Sequence, residues 1–325
     1  MPDEPAIELD AVTRRFGARV ALDRCTLAVA RGSIHGYVGP NGAGKTTTLR
    51  ILATLLRPDA GTARVLGLDV RGASHAVRRA IGYMPDTFGA YPGMTAAEYL
   101  DFFAAAYRIG RRRRRDLVAD VLELTDLAGA ADLMVDELSR GNRQRLALAR
   151  TLVHDPAVLL LDEPASGLDP AARIELRELL RALRGMGKTI LISSHILAEL
   201  RDMCDRVAVL VAGRVIADGR VEELLDRVRP HCALDLEFVR EGDAEAARRL
   251  LRERAGAPLQ ALERVGRRLE LTADWPEKEV AAVVAELARA GLGLLWCRPR
   301  EATLEEFFLR TVTAEAPAAD PGGGA

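Results

Sequence analysis

Apolar and polar residues are patterned differently in the two parts of the chain. In the first part, the uniformly apolar runs AVLLL (157–161) and TILIS (189–193) stand among stretches with helical spacing. Such runs predict parallel strands that are covered on both faces, and the stretches between them predict helices. We therefore expect residues 1–220 to form one α/β domain with a largely parallel sheet, with a helical subdomain over about 88–150.

The pattern changes after about residue 220, where strand-like and helical stretches follow in the order β-α-β-β-α-β. Their predicted ranges are 232–239, 243–254, 259–265, 267–273, 277–290 and 292–297. This order is typical of a ferredoxin-like α+β fold. A last helix is predicted over 303–312, with Thr303 as its cap. We predict a small C-terminal domain over 221–313 and a disordered tail over 314–325, because the tail has too few apolar residues to pack.

Charge and cysteine content narrow the possible classes of protein. The 46 Lys and Arg residues nearly balance the 47 Asp and Glu residues, so no overall field favours a nucleic-acid partner. The local exception is Arg111–Arg115, which fits either a solvated helix face or a contact with anionic lipid headgroups or a partner. Four widely spaced cysteines favour neither disulfides nor a zinc site. The acidic N-terminus and the short apolar runs predict no signal peptide and no membrane-spanning helix.

The stretch GPNGAGKTT (39–47) predicts a phosphate-binding loop. It fits the pattern G-x-x-x-x-G-K-[ST] and lies between a predicted strand and a predicted helix, which is the required context. Its glycines let successive backbone N–H groups face phosphate oxygens, and the helix N-terminus adds a positive dipole. Lys45 is expected to bind the β- and γ-phosphates, and the Thr46 hydroxyl to bind Mg²⁺. The other predicted ATP contacts of this loop are Gly39, Pro40, Asn41, Gly42, Ala43, Gly44 and Thr47.

Polar residues end two of the apolar strands. Asp162 and Glu163 follow one strand directly, and His195 closes the next. Ligands of open parallel sheets bind at the carboxyl ends of the strands. We therefore predict that Asp162 holds Mg²⁺, directly or through water, and that Glu163 acts on the water that attacks the γ-phosphate. From its position alone, His195 fits either a structural role or a contact with the γ-phosphate.

Together, these motifs resemble the ATP-binding cassette (ABC) ATPases, the motor subunits of ABC transporters, over residues 7–220. GPNGAGKTT matches the Walker A loop, VLLLDEP the Walker B strand, SGLDP (166–170) the D-loop and SSH the switch histidine. The resemblance implies a P-loop NTPase fold of the ABC type, with ATP and Mg²⁺ as ligands. It makes Glu163 and His195 catalytic residues, and it implies that Phe16 packs against adenine.

LSRGN (138–142) is a second phosphate-binding helix start, and it stands where the family has its signature motif, LSGGQ. In that family two subunits hold two ATP molecules between them, head to tail. The signature helix of one subunit caps the γ-phosphate that the other subunit binds. The resemblance therefore implies a homodimer, or a dimer with a close relative. The residues that it implies for the nucleotide of the other copy are Ser139, Arg140, Gly141, Asn142 and Asp169.

Three positions depart from the family pattern. Arg140 replaces the second glycine of the signature motif and Asn142 replaces its glutamine, so a charge is added at the expected dimer face. Asp86 stands where the family's Q-loop has glutamine. A carboxylate there can bind Mg²⁺, but it is one methylene shorter than glutamine and donates no hydrogen bond to water. Asp86 is thus predicted as a Mg²⁺ ligand beside Thr46 and Asp162.

The resemblance also implies a task. A chain with one cassette resembles subunits that drive a separately encoded integral-membrane permease at the cytoplasmic face of the plasma membrane. In this family the permease contacts the stretch that corresponds to 95–133. The C-terminal extension resembles those of bacterial exporters of drugs, lipids or polysaccharides, so export is expected. The alternative is a non-transport ABC ATPase that acts on ribosomes or DNA. For the C-terminal domain, two roles stay open, which are to stabilise a dimer or to sense a ligand.

Overall fold

The computed structural model describes residues 4–299 except 88, 90–92, 197–199, 202, 227–231, 254–258 and 274. The chain divides into two units between Val221 and Glu222. The last predicted helix (303–312) and the predicted disordered tail (314–325) lie outside the described residues.

An antiparallel sheet forms one layer of the first unit. Its strands are β1 (Ile7–Phe16), β2 (Arg19–Val29), β4 (Ala60–Val65) and β5 (Leu68–Asp69). They lie in the order β2-β1-β4-β5. The sequence predicts a largely parallel sheet in residues 1–220, and this antiparallel layer is a second sheet that it does not predict. Strands β1 and β2 alternate between buried and more exposed positions, so they suit a sheet with one covered face.

A second sheet of six strands positions the site. Its strands are β3 (Ile34–Val38), β6 (Ile81–Met84), β7 (Val158–Asp162), β8 (Thr189–Ser194), β9 (Arg206–Val211) and β10 (Arg214–Gly219). They lie in the order β10-β9-β3-β8-β7-β6, and all pairs are parallel except the hairpin β9–β10. Every residue of β3, β7 and β8 is buried, as the uniformly apolar runs predict. Their carboxyl ends meet at one edge of the sheet.

Helices cover this sheet and form the predicted helical segment between β6 and β7. Outside that segment lie the helices α1 (Lys45–Leu52), α2 (Ser74–Ala80) and α6 (Pro170–Gly185). The helical segment contains α3 (Ala96–Ala106), α4 (Arg111–Leu124) and α5 (Arg140–Leu152). Helix α3 begins with a capping box between Thr95 and Glu98. Helix α1 ends at Leu52, because the chain leaves the helix at Ala53 and Thr54 has a left-handed φ of 61°.

The second unit has the β-α-β-β-α-β order that the sequence predicts. A short helix, α7 (Val221–Asp226), leads into it. Its elements are β11 (Cys232–Phe238), α8 (Glu241–Glu253), β12 (Leu259–Val265), β13 (Arg268–Ala273), α9 (Glu277–Arg289) and β14 (Leu294–Pro299). The antiparallel sheet has the order β12-β13-β11-β14. Its core includes Phe238, Leu271 and the fully buried Trp275.

Candidate functional site

The loop between β3 and α1 holds a shape that only glycine permits at several positions. Gly42 and Gly44 have φ angles of 82° and 115°, where residues with a Cβ are strained. A Cβ on Gly44 would lie 2.5 Å from the backbone oxygen of Ala21, and one on Gly39 would lie 2.4 Å from that of Leu210. The loop is therefore packed tightly against neighbouring strands. The loop leads directly into the N-terminus of α1, with Gly44 as the N-cap, which is the connection that a phosphate-binding loop requires.

The Lys45 side chain lies across this loop. It is 7% exposed, and its Nζ donates hydrogen bonds to the carbonyl oxygens of Gly39 (2.6 Å) and Pro40 (3.3 Å). The same Nζ lies 3.4 Å from Oε1 of Glu163. Its charge is thus held at the carboxyl ends of the strands, between the loop and the carboxylate that follows β7.

Asp162 presents a buried carboxylate with an unused oxygen. Its Oδ1 accepts a hydrogen bond of 2.6 Å from the Ser193 hydroxyl, while its Oδ2 is buried without a hydrogen-bond partner among the described residues. Burial raises the pKa of the Asp162 carboxyl, and the bond from Ser193 opposes this rise. A buried, unpaired carboxylate oxygen is costly unless a cation or a proton satisfies it. This oxygen fits the predicted role of Asp162 as a Mg²⁺ ligand, because Mg²⁺ prefers oxygen ligands.

Glu163 is held between two basic side chains. Its φ of 53° turns the chain sharply after β7, and its backbone N–H donates to the carbonyl (3.2 Å) and the hydroxyl (3.0 Å) of Ser193. This turn brings its carboxylate to both Lys45 and His195, since Oε2 lies 2.8 Å from Nδ1 of His195. With Nδ1 as the donor, the histidine fixes the orientation of the carboxylate. The arrangement can accept a proton from a water molecule at the mouth of the loop.

A cavity of about 330 Å³ lies in front of the phosphate loop. The predicted site residues that line it are Phe16, Asn41, Gly42, Gly44, Lys45, Thr46, Thr47, Asp86, Glu163 and His195. Gly39 and Pro40 contribute carbonyl oxygens that accept hydrogen bonds from Lys45, and Ala43 is a buried residue of the loop. Asp162 does not line the cavity, but it directly precedes Glu163, which does. The structure therefore brings together all residues that the sequence assigns to the nucleotide and Mg²⁺ within one chain.

The Phe16 ring belongs to the last residue of β1 and also lines this cavity. It is 48% exposed, and the Arg14 guanidinium lies 4.9 Å from its ring centroid. Arg14 itself is fixed by an ion pair of 2.7 Å with Asp59. The ring is thus supported from one side while half of it stays open, which suits the stacking on adenine that the resemblance implies.

The signature residues do not line this cavity. Ser139 is the N-cap of α5, and its Oγ accepts a hydrogen bond of 3.3 Å from the Asn142 amide. The Arg140 guanidinium lies so close to Gly167 that a Cβ there would be 2.1 Å from its Cζ. Asp169 caps α6 by accepting a hydrogen bond of 2.9 Å from Ala172. None of the signature residues or Asp169 lines the cavity of its own chain, as a site completed by a second copy requires.

Comparison with known proteins identifies the family. The family model described as "ABC transporter" matches residues 22–166. Over 308 residues the chain is 38% identical to the daunorubicin resistance ATP-binding protein DrrA3 of Streptomyces coeruleorubidus, with 94% of this chain and 95% of that protein covered. The chain belongs to the ABC transporter ATPases. This ABC ATPase binds and hydrolyses ATP.

Other relatives and solved structures agree. This ABC ATPase is 36% identical over 312 residues to the Nod factor export ATP-binding protein I of Ralstonia nicotianae, with 96% of this chain and 95% of that protein covered. The ATP-binding cassette MJ0796, in a dimeric post-hydrolysis state with ADP and Pi, matches with a TM-score of 0.60 and 27% identity, covering 66% of this chain and 98% of that one. The solved structure of an ATP-binding subunit of an ABC transporter matches with a TM-score of 0.62 and 28% identity, covering 68% of this chain and 92% of that one.

The cavity of this ABC ATPase includes residues that sequence reasoning missed. Arg19, Ala21 and Ser166 also line it. Arg19 Nη2 donates a hydrogen bond of 3.2 Å to the carbonyl of Gly42, so β2 places a second cation beside the phosphate loop. No sequence motif includes Arg19, because it comes close to the loop only through the packing of β2. For Ser166, the signal was its place at the start of the SGLDP motif.

Within the described ranges of this ABC ATPase, no helix is both long enough and apolar enough to span a bilayer.

Proposed function

We propose that this ABC ATPase is the motor of an exporter, in which two copies close head to tail around Mg²⁺ and ATP and drive a separate integral-membrane permease. The observation that carries the proposal is the carboxylate of Glu163, held between Lys45 and His195 at the mouth of the phosphate loop. A binding module without catalysis has no need of a positioned base. The relatives named as a daunorubicin resistance protein and a Nod factor export protein support the direction of transport.

The nucleotide is held by the groups that the cavity already aligns. We assign Lys45 and the loop amides to the β- and γ-phosphates, and the Phe16 ring to adenine. Thr46, Asp86 and the free Oδ2 of Asp162 are the groups that would hold Mg²⁺. When bound, this ion would supply charge neutralisation to the phosphates during transfer.

Hydrolysis requires Glu163 to lose its contact with Lys45. In the described state the ammonium lies 3.4 Å from Oε1, so part of the base is already engaged. A triphosphate carries more negative charge than one carboxylate, and it attracts Lys45 more strongly. Oε1 is then free to accept a proton from the attacking water, while His195 keeps Oε2 in place. Binding of the substrate therefore prepares the base.

The second copy completes each site. We assign Ser139, Gly141 and Asn142 of one copy to the γ-phosphate that the other copy binds, with the N-terminal dipole of α5 favouring the anion. Asp169 and Arg140 face the same nucleotide in this arrangement. The likeness to a cassette solved as a dimer supports this assignment.

A groove between α1 and the helical segment suits the permease. It encloses about 220 Å³ and is lined in part by Leu55, Tyr83, Phe103 and Tyr107. Leu55 and Tyr107 are 62% and 42% exposed, and the Tyr107 ring stacks on His154 at 3.8 Å. Exposed apolar side chains beside a preformed groove are typical of a site for a partner helix. We assign this groove to a cytoplasmic helix of the permease.

The permease would hold this ABC ATPase peripherally at the cytoplasmic face of the plasma membrane. We assign the second unit, from Glu222 onward, an accessory role in stabilising the dimer. A non-transport ATPase acting on ribosomes or DNA is the remaining alternative, and no structural observation favours it.

The decisive experiment is purification of the tagged chain from its own host in a mild detergent. A stoichiometric, strongly hydrophobic partner is expected, and Leu55→Lys should release it because a charge then enters the groove. Val265→Lys is the matched control, since Val265 is 66% exposed on β12 and lies in the other unit. Recovery of ribosomal proteins or DNA instead of a membrane protein would leave the ATPase intact but overturn the transporter proposal.

A further inference from the structure

Five consecutive arginines, Arg111–Arg115, are the first five residues of α4, directly after its N-cap, Gly110. Among contacts within the described residues, only Arg114 has a structural task, because it pairs with Asp101 on α3 at 2.7 Å and donates to the carbonyl of Ile109 at 3.4 Å. The other four side chains belong to exposed residues. They are Arg111, Arg112, Arg113 and Arg115. In the described part of the chain, no carboxylate is paired with any of these four.

This arrangement is electrostatically unfavourable in an isolated chain. A helix N-terminus carries a partial positive charge, which repels cations in the first turn. The first turn of α4 contains no acidic residue to offset it. The four guanidinium groups also repel one another across one turn. A surface rich in negative charge would relieve both effects, so the cluster is built to meet an anion larger than a single side chain.

The position of the cluster indicates which anionic surface it meets. Tyr107, which lines the groove assigned to the permease, precedes Arg111 by only four residues. The bond from Arg114 to Ile109 fixes the connection between them. On α3, Phe102 adds an apolar side chain that is 45% exposed. A groove that receives a membrane protein at its cytoplasmic end would lie close to the lipid headgroups, and the nearby start of α4 would then be within reach of the same membrane.

We propose that Arg111, Arg112, Arg113 and Arg115, here termed the α4 arginine cluster, bind the headgroups of anionic phospholipids beside the permease. The inference rests on the proposed transporter function for its orientation. The shared chemistry is that of phosphate esters, which arginine recognises with several N–H donors at once. Basic clusters of this size bind anionic membrane surfaces, and the binding is screened by salt.

Co-sedimentation of the purified full chain with vesicles tests this surface without the permease. Vesicles of phosphatidylcholine alone are compared with vesicles of equal parts phosphatidylcholine and phosphatidylglycerol. We expect binding only to the anionic vesicles and release by high salt. Each arginine near such a surface contributes about fivefold to partitioning, so changing all four to glutamine should weaken binding by roughly several hundredfold.

Two further variants test whether vesicle binding depends on the position of these charges, and not on the net charge of the chain or on a folding defect. Changing the four arginines to lysine keeps the charge and should retain anionic-vesicle binding. A matched control changes four exposed arginines elsewhere to glutamine, namely Arg24, Arg57, Arg79 and Arg240. It removes the same net charge and should bind nearly as well as the wild type. ATPase activity measured without lipid should be equal in all variants.

Three results would overturn the inference. They are equal binding to neutral and anionic vesicles, a glutamine variant that binds like the wild type, and displacement from vesicles by a mixed-sequence RNA at an equal phosphate concentration. The last result would mean that the cluster prefers nucleic acid. Because no permease is present, failure here leaves the transporter proposal standing. Conversely, if no permease is recovered, a positive vesicle result would still show lipid binding. It would no longer indicate that the α4 arginine cluster faces the membrane beside a permease.

Discussion

Replacing Glu163 by glutamine tests the proposed chemistry most directly. The change keeps the size of the side chain, and the two hydrogen bonds from the backbone N–H of residue 163 to Ser193 do not involve the side chain. The amide oxygen can still face Lys45. What is lost is the ability to accept a proton and the negative charge between Lys45 and His195. The fold should therefore persist while the chemical step fails.

The structure sets the expected magnitudes. Loss of a positioned general base slows the chemical step by about 10²–10⁴-fold, or roughly 2.7–5.5 kcal/mol on the barrier. ATP affinity should be unchanged or slightly higher, because Lys45 no longer has to leave a carboxylate. The nucleotide-free variant should lose about 1–3 kcal/mol of stability, since a buried ammonium keeps only carbonyl partners. Bound ATP should restore that loss by mass action.

Three measurements on one preparation check this prediction. Phosphate release gives turnover, a fluorescent ATP analogue gives affinity, and size-exclusion chromatography with ATP should show the variant accumulating as a dimer. Glu178→Gln is the matched control, because Glu178 lies on α6 and its side chain is 58% exposed. Wild-type turnover in the Glu163 variant would remove this residue from the role of base. Loss of ATP binding would mean that Glu163 instead positions Lys45 for the nucleotide.

Four further substitutions test the remaining assignments. Lys45→Ala should abolish measurable binding of a fluorescent ATP analogue, because the cation over the phosphate loop is lost; affinity within about tenfold of wild type would contradict its role. Asp86→Gln should keep ATP affinity and change turnover by less than about tenfold, or ~1.4 kcal/mol, and complete loss of ATPase would show that the acid is essential. Arg19→Ala should weaken ATP binding by about 10–100-fold, while Arg24→Ala, outside the cavity, should not; equal affinities would show that Arg19 only braces Gly42. Asp162→Asn tests how the free energy of unfolding, measured in urea without Mg²⁺, depends on pH. Burial raises the pKa of Asp162, so its carboxyl binds a proton more tightly in the folded protein than in the unfolded chain. Wild-type stability is therefore lost as pH rises through the folded pKa. The stability of the Asn variant relative to wild type should therefore increase from acidic to neutral pH, and a constant difference would refute the linkage.

The parts of the site that lie on a contiguous motif could be predicted from the sequence. The phosphate loop, Asp162 and Glu163 are placed by their position after buried parallel strands, and the structure gathers them at one edge of the sheet. The order of elements in the second unit was predictable for a similar reason, since its strands and helices have clear and different periods.

The parts that depend on tertiary packing could not be predicted. Arg19 reaches the loop because β2 runs beside it, and a sequence pattern carries no information about that approach. The contact between Arg140 and Gly167 joins two segments that are distant in sequence. The separate antiparallel sheet was missed for a similar reason. Alternation of apolar and polar residues along a strand shows that one face of its sheet is covered, but it does not show which layer covers that face. The left-handed φ of Glu163 follows from neither its residue type nor its motif.

The ion pair between Lys45 and Glu163 has a consequence for the part of the working cycle in which the site is empty. After product leaves, a lone ammonium and a lone carboxylate at the bottom of a cavity would each favour rearrangement or the capture of stray ions. At 3.4 Å, each group can offset the charge of the other whenever no phosphate lies between them. A motor built in this way can wait between turnovers without its substrate and without losing the shape that the next turnover needs.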